Sequence, residues 1–100
     1  MPAKEIPIGF RFDITINYNG KRITYPIIKT WDNAGIELFM LLGSQKVLLL
    51  QSNRPLLRTK GLKHKRIEYK LLFGDVSYHT LLEDITKAVD NYITNYELTL

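Results

Sequence analysis

Hydrophobic and polar residues alternate strictly along the first well-patterned part of the chain, between positions 10 and 18. The apolar positions are Phe10, Phe12, Ile14, Ile16 and Tyr18. A period of two is typical of a strand that is buried on one face only. Asn19-Gly20 follows, which is the strongest short signal for a type I′ hairpin turn. The pattern predicts a second strand in which Ile23 faces Ile16.

Pro26 falls within this second strand, at a position whose missing N–H would point away from the first strand. Proline is tolerated within a sheet at an edge or at a bulge. We therefore expect the second strand to lie at an edge for at least part of its length. Trp31 closes the strand and is interpreted as a partly buried residue at the rim of the fold.

Two further strands are predicted at 36–42 and 47–50, joined by the turn at 43–46. Both are apolar on both faces, which is typical of strands in the middle of a sheet that is covered on both sides. An uncovered second face would leave an apolar patch, so the sheet either curls over itself or packs against a symmetric partner. We expect a homodimer, with Phe39 and Leu41 as candidate interface residues.

The last part of the sheet follows a poorly patterned segment. Residues 54–66 contain Pro55, Gly61 and many basic residues and are predicted to form a loop, with Leu56-Leu57 as a candidate sixth strand. Alternation then returns and predicts a final strand whose apolar side chains face the core. Those side chains are Ile67, Tyr69, Leu71 and Phe73.

Apolar residues recur at spacings of three and four from 77 to 96, which predicts an amphipathic helix of about five turns. Ser77 is the favoured N-cap, and Thr80 with Glu83 forms an alternative capping box. Docking of this apolar stripe on the sheet is expected to be the main stabilising contact. The stripe consists of Tyr78, Leu81, Leu82, Ile85, Ala88, Val89, Tyr92, Ile93 and Tyr96.

These elements predict an α+β fold, an antiparallel sheet of five or six strands packed by one C-terminal amphipathic helix. The sheet consists of two hairpins plus a later strand. One hundred residues is a single-domain length, so we predict one domain over 1–100. It has an N-terminal tail at 1–8, a sheet over 10–73 with a basic loop at 54–66, and a helix over 77–96. The pattern leaves two arrangements open, an open sheet under the helix or a sheet curled around it.

The amino-acid composition excludes several classes of protein and kinds of site. Apolar residues make up 45% of the chain and charged residues 24%, as in an ordinary globular domain. The chain has no cysteine, which excludes disulfides, thiolate catalysis and cysteine-based zinc sites. Its longest apolar runs are far shorter than the ~20 residues that span a bilayer. We expect a soluble, cytoplasmic protein.

The net charge of +4 is concentrated in one segment. Seven of the fourteen lysines and arginines lie between 54 and 70, where Glu68 is the only acidic residue. The simpler interpretation is a solvated basic loop. The alternative is a surface that binds a polyanion, such as nucleic acid or an acidic protein surface. Its candidate contacts are Arg54, Arg58, Lys60, Lys63, Lys65, Arg66 and Lys70.

Candidate chemistry is sparse. His64 and His79 have no second histidine or carboxylate at ligand spacing, and Glu83-Asp84 are helix neighbours that point about 100° apart. Phosphate-binding and nucleophile motifs are absent from the sequence. We therefore predict no catalytic, cofactor-binding or metal site. The sequence favours a non-catalytic interaction protein that acts as a homo-oligomer or adaptor, with polyanion binding through 54–70 as the alternative and an enzyme as the least favoured class.

Overall fold

Five strands and two helices make up the fold in a computed structural model that describes residues 6–43, 46–61, 67–74, 76 and 79–98. The strands form one antiparallel sheet in chain order. The elements are β1 (Arg11–Tyr18), β2 (Lys21–Asp32), β3 (Glu37–Leu42), β4 (Val47–Ser52), α1 (Arg54–Thr59), β5 (Tyr69–Phe73) and α2 (His79–Leu98). The predicted α+β class is confirmed. The predicted cap Ser77, the stripe residue Tyr78 and the loop residues 62–66 lie outside the described residues.

The first hairpin has the predicted register, with Ile16 opposite Ile23 and Tyr18 opposite Lys21. Its turn residues Asn19 and Gly20 have φ values of 51° and 76°. A type I′ turn needs positive φ at both positions, which glycine adopts freely and asparagine more readily than most residues. The local sequence therefore fixes this hairpin.

Pro26 lies at the point where β2 gains its second neighbouring strand in the sheet. β2 pairs with β1 from Lys21 to Ile28, and its pairing with β3 begins at Ile27. The missing N–H of Pro26 faces the unpaired side, so no ladder hydrogen bond is lost there. The expected edge position is confirmed for the first half of β2.

Arg54–Thr59 form a short helix, where the sequence predicted a loop or a sixth strand. Pro55 lies in the first turn, where an N–H is not needed, and Gly61 follows the helix with a φ of 68°. The Leu56 N–H donates to the Gly35 carbonyl at 3.2 Å and holds α1 against the turn before β3. Six residues are too few for a helical period to emerge from the sequence.

The hydrophobic core lies between α2 and one face of the sheet. Phe39 and Leu41 belong to it, with exposed fractions of 0% and 1%, so the expectation that they form a dimer interface is wrong. Leu41 pairs with Ile27, which pairs with Phe12, and this register places all three on the covered face. The other buried apolar side chains are Ile6, Ile14, Ile16, Leu48, Leu50, Ile85, Val89 and Ile93.

α2 contacts both edge strands of the sheet. On β1, Phe12 stacks on Tyr92 with ring centroids 4.1 Å apart, and on β5 the Tyr69 hydroxyl donates to Asp90 at 2.8 Å. A flat five-stranded sheet is about 19 Å wide and a helix about 10 Å. The side chains of Phe12 and Tyr69 span the difference in width, so α2 is anchored to both edges of the sheet.

Candidate functional site: the outer face of the sheet

The face of the sheet that points away from α2, here called the outer face, carries rows of apolar side chains across the strands. Strand register aligns Ile28, Met40, Leu49 and Phe73 in one row over β2 to β5. A parallel row contains Trp31, Leu38, Gln51 and Lys70, and a third contains Leu42 and Val47. We call the apolar members of these rows the outer patch: Ile28, Trp31, Leu38, Met40, Leu42, Val47, Leu49 and Phe73.

The outer patch is apolar surface that the described part of the chain leaves uncovered. None of its members belongs to the buried core or to the side chains packed against it. Trp31 is 51% exposed and Phe73 is 65% exposed, and the central members are only half-buried. Strand spacing and rise give the patch about 14 Å in each direction between the outermost side chains. Contiguous patches of a few hundred Å² on a soluble domain commonly mark a binding surface.

A β-bulge in β2 turns Trp31 to the outer face. Lys29 pairs with Phe39 and Trp31 pairs with Leu38, so Thr30 is an extra residue in the ladder. Without the bulge, Trp31 would follow Lys29 onto the covered face, because side chains two apart share a face. The exposed Trp31 is therefore a product of the bulge rather than of the alternation in sequence.

A second bulge, at β4–β5, does the same for Phe73. Leu50 pairs with Leu71 and Leu49 pairs with Phe73, so Leu72 is the extra residue. The prediction that Phe73 faces the core is wrong for this reason, whereas Tyr69 and Leu71 pack against the core as predicted. Two separate bulges thus bring one aromatic side chain each to opposite sides of the outer patch.

The first bulge also builds a buried ionic cluster on the covered face. Glu37 is fully buried, and its carboxylate accepts hydrogen bonds from Arg54 Nε at 2.7 Å and Nη2 at 2.6 Å. The Ser52 hydroxyl donates to Glu37 at 2.5 Å, and Lys29 Nζ lies 3.3 Å from Glu37 and 2.9 Å from Asp32. Local sequence patterns do not predict this cluster, because its four charges come from three separate elements.

Lys29 extends the cluster to the start of the described chain, since its ammonium donates to the Ile6 carbonyl at 2.7 Å. Among the described residues, every buried polar side-chain atom has a hydrogen-bond partner. A buried charge that is paired and hydrogen-bonded in this way serves to orient elements. The cluster fixes the N-terminal segment, the β2–β3 turn and α1 relative to one another.

The pKa of Glu37 shows that the cluster stabilises the ionised form of this carboxylate. Burial on its own raises the pKa, but the hydrogen bonds and charge of Arg54, the Ser52 hydroxyl and the charge of Lys29 outweigh it, so the pKa lies below the ordinary value. Burial raises the pKa of Tyr69, and its hydrogen bond to Asp90 raises it further, so this hydroxyl stays protonated.

Acid is expected to weaken the fold through Glu37. As the pH falls below about 4.3, residue 37 takes up a proton in the unfolded chain before it does so in the folded one, so the free energy of unfolding declines. Urea unfolding of the protein and of its Glu37→Gln variant from pH 7 to pH 3 measures this. The difference between the two should shrink below pH 4.3, and a difference that stays constant contradicts the assignment.

The residues predicted to contact a polyanion do not form one surface in the described part of the chain. Arg54 is buried and binds Glu37, in contrast to its predicted place in a solvated loop. Lys60 and Lys70 are exposed, at the end of α1 and on the outer face of β5. Lys63, Lys65, Arg66 and the side chain of Arg58 lie outside the described residues. Polyanion binding by this segment stays a prediction.

The remaining candidate chemistry is peripheral. His79 is exposed, with Nε2 2.9 Å from the Glu83 carboxylate one helical turn later, and His64 lies outside the described residues. Over the described ranges, no cluster of three or more histidine, aspartate or glutamate side chains is arranged to hold a metal ion. A cleft of about 600 Å³ between α2 and the start of β5 is lined by Glu83, Asp84 and Asp90, among others. It lies on the covered side, away from the outer patch.

Neither described helix has the length and apolarity needed to cross a bilayer. Comparisons with protein-family models, with curated proteins and with solved structures found no match for this chain.

Proposed function

We propose that this chain is a non-catalytic interaction protein that docks another protein surface on the outer patch, as a homo-oligomer or as an adaptor. The observation that carries the proposal is the pair of β-bulges that turn Trp31 and Phe73 away from the core. Bulges are recurrent devices for re-aiming a side chain. Here two of them expose large aromatic side chains that strict alternation would have buried.

The composition of the outer patch fits protein docking. Aromatic residues and methionine are enriched in protein interfaces, and tryptophan is among the commonest energetic anchors. The patch holds Trp31, Phe73 and Met40, with aliphatic side chains between them and no charged residue among its members. Gln51 lies between Leu38 and Lys70 in the same row and adds one amide to this face, and Lys70 supplies a charge at the rim.

The pairing of the buried charges with one another supports the non-catalytic part of the proposal. Glu37 and Asp32 balance the charges of Lys29 and Arg54, and Lys29, Glu37 and Arg54 are buried away from solvent. Catalytic groups need access to a substrate and a pKa matched to their task. A carboxylate that is fully buried between two cations is instead suited to holding the sheet and α1 together.

Photo-crosslinking tests the docking surface whatever the partner is. A benzophenone amino acid is placed at Met40, in the centre of the outer patch, or at Thr15, exposed on the same face of β1 but outside the patch. Irradiation of cells that make each variant should give an adduct with one defined protein from position 40 only, identified by mass spectrometry. Absence of any adduct from position 40, or equal labelling from position 15, overturns the proposal.

A further inference from the structure

We infer that the occupant of the outer patch is a second copy of this chain, packed face to face across a twofold axis. This inference rests on the proposed function and adds the identity of the partner. Two sheets pack face to face at about 10 Å when their apolar side chains interdigitate. The outer patch is such a sheet face, and it is the surface that each copy brings to the other.

The arrangement of the patch is self-complementary. Trp31 on β2 and Phe73 on β5 lie three strands and one row apart, about 16 Å across the patch. A twofold axis in the interface plane, midway between them, places Trp31 of each copy against Phe73 of the other. The same axis passes close to Met40 and Gln51, so each of these side chains meets its own counterpart.

Each of these contacts is chemically matched. Aromatic side chains on opposite copies pack in offset or edge-to-face pairs. Met40 meets the apolar thioether of Met40 in the other copy. The Gln51 amide has both donors and acceptors, so it can hydrogen-bond to a second amide. An isologous interface needs this self-matching, because every residue meets the surface to which it belongs.

Charge also favours a second copy over a partner of opposite charge. The chain carries a net charge of +4, yet none of the residues of the outer patch is charged. Two copies can therefore approach through the patch without bringing like charges into contact, and Arg11 and Lys70 stay at its rim. An acidic partner would meet no basic side chain within the patch, and the rim charges of Arg11 and Lys70 would change its association rate more than its affinity.

The size of the patch sets the expected affinity. A face of about 20 Å by 20 Å, which adds the side-chain radii to the span of about 14 Å, has an area of about 400 Å², so it lies at the low end, below the ~800 Å² that each partner buries in a standard interface. Interfaces at this lower end are weak and reversible. We expect a dissociation constant of about 1–100 µM, so that dilution separates the copies.

Trp31 reports the association directly, because it is the only tryptophan in the chain. It is half-exposed in one copy and becomes buried when a second copy covers the patch. As the protein concentration rises from about 0.5 to about 300 µM, the tryptophan emission should shift to shorter wavelength. The midpoint of this shift should coincide with the midpoint of the rise in mass that light scattering coupled to gel filtration measures. A mass of one chain and an unchanged emission at 300 µM overturn the inference.

Variants then locate the interface. Met40→Glu brings two carboxylates together at the axis and should weaken the dimer about 100-fold or more. Thr15→Glu, on the same face but outside the patch, should leave the dimer intact. Leu42→Lys, at the margin of the patch, gives a second disrupting variant should Met40→Glu fail to fold, which circular dichroism shows. A dimer that persists at unchanged affinity in the folded disrupting variant overturns the inference.

Trp31→Ala and Phe73→Ala test the contact between copies. The two side chains lie too far apart to touch within one chain, so coupling between them requires the second copy. The double variant should weaken the dimer by less than the product of the two single effects, and strictly multiplicative effects overturn this packing.

Different results overturn the docking surface and the second copy as its occupant. A monomer in solution whose Met40 crosslinks to a different protein in cells overturns the second copy and keeps the docking surface. A dimer that is insensitive to the patch variants, with no crosslink from Met40, overturns both.

Discussion

Glu37→Gln is expected to lower the free energy of unfolding by about 3–5 kcal/mol, since it removes the buried anion that binds Arg54 and leaves Lys29 with Asp32 as its acidic partner. Lys29 and Arg54 are 2% and 4% exposed, so water cannot replace the carboxylate. This loss is a large share of the ~5–15 kcal/mol that stabilises a domain. Urea unfolding followed by circular dichroism measures it at pH 7.

Glu68→Gln is the matched control, because Glu68 is exposed and the same change there should alter the free energy of unfolding by less than about 0.5 kcal/mol. Replacing the whole cluster provides the second arm. Lys29→Met, Glu37→Leu and Arg54→Met together remove every buried charge and should recover most of the stability lost in Glu37→Gln. A triple variant less stable than Glu37→Gln contradicts the role given to charge pairing.

Phe39→Ala is expected to lower the free energy of unfolding by about 3–5 kcal/mol, since it opens a cavity in the centre of the core. Phe39 is fully buried, and its ring meets Phe12 edge to face with centroids 6.0 Å apart. Thermal and urea unfolding at about 0.5 µM protein measure the loss in single copies, below the concentration range of the proposed dimer.

Ile8→Ala provides the comparison, because Ile8 is 56% exposed and lies outside the core cluster and the outer patch. Truncating this side chain should change the free energy of unfolding by less than about 1 kcal/mol. If Phe39→Ala has as small an effect as Ile8→Ala, Phe39 does not lie on the covered face, and the alignment of β3 with β2 and β4 is wrong.

Both predictions concern features that the sequence pattern did not resolve. β3 is apolar at every position from Leu38 to Leu42, so alternation gives two sets of residues without saying which one faces α2. The register with β2 decides it, since Leu41 aligns with Ile27 of the well-patterned hairpin. A strand with one polar face carries this information in its own residues, and a strand without one takes it from its neighbours.

The basic segment shows a similar limit. Arg54 stands among other cations in sequence, which predicts a solvated surface, yet it binds Glu37 across a separation of 17 residues. Glu37 itself gave no signal, as one carboxylate beside a turn is ordinary. Charge pairing of this kind depends on which side chains the fold brings together, so local composition does not predict it.

By itself, the sequence determined the elements whose signal is local: the Asn19-Gly20 hairpin with its register, the unpaired side of β2 before Pro26, and the amphipathic stripe of α2. These depend on backbone preferences and on side-chain periods that a few neighbouring residues fix. Only the tertiary structure decided which face of β3 is covered and which side chains leave the core at the two bulges. A bulge shifts the alternation by one residue, and where it occurs is set by pairing with a distant strand. The exposure of Trp31 and Phe73, on which the proposed docking surface depends, therefore belongs to the fold and not to the pattern.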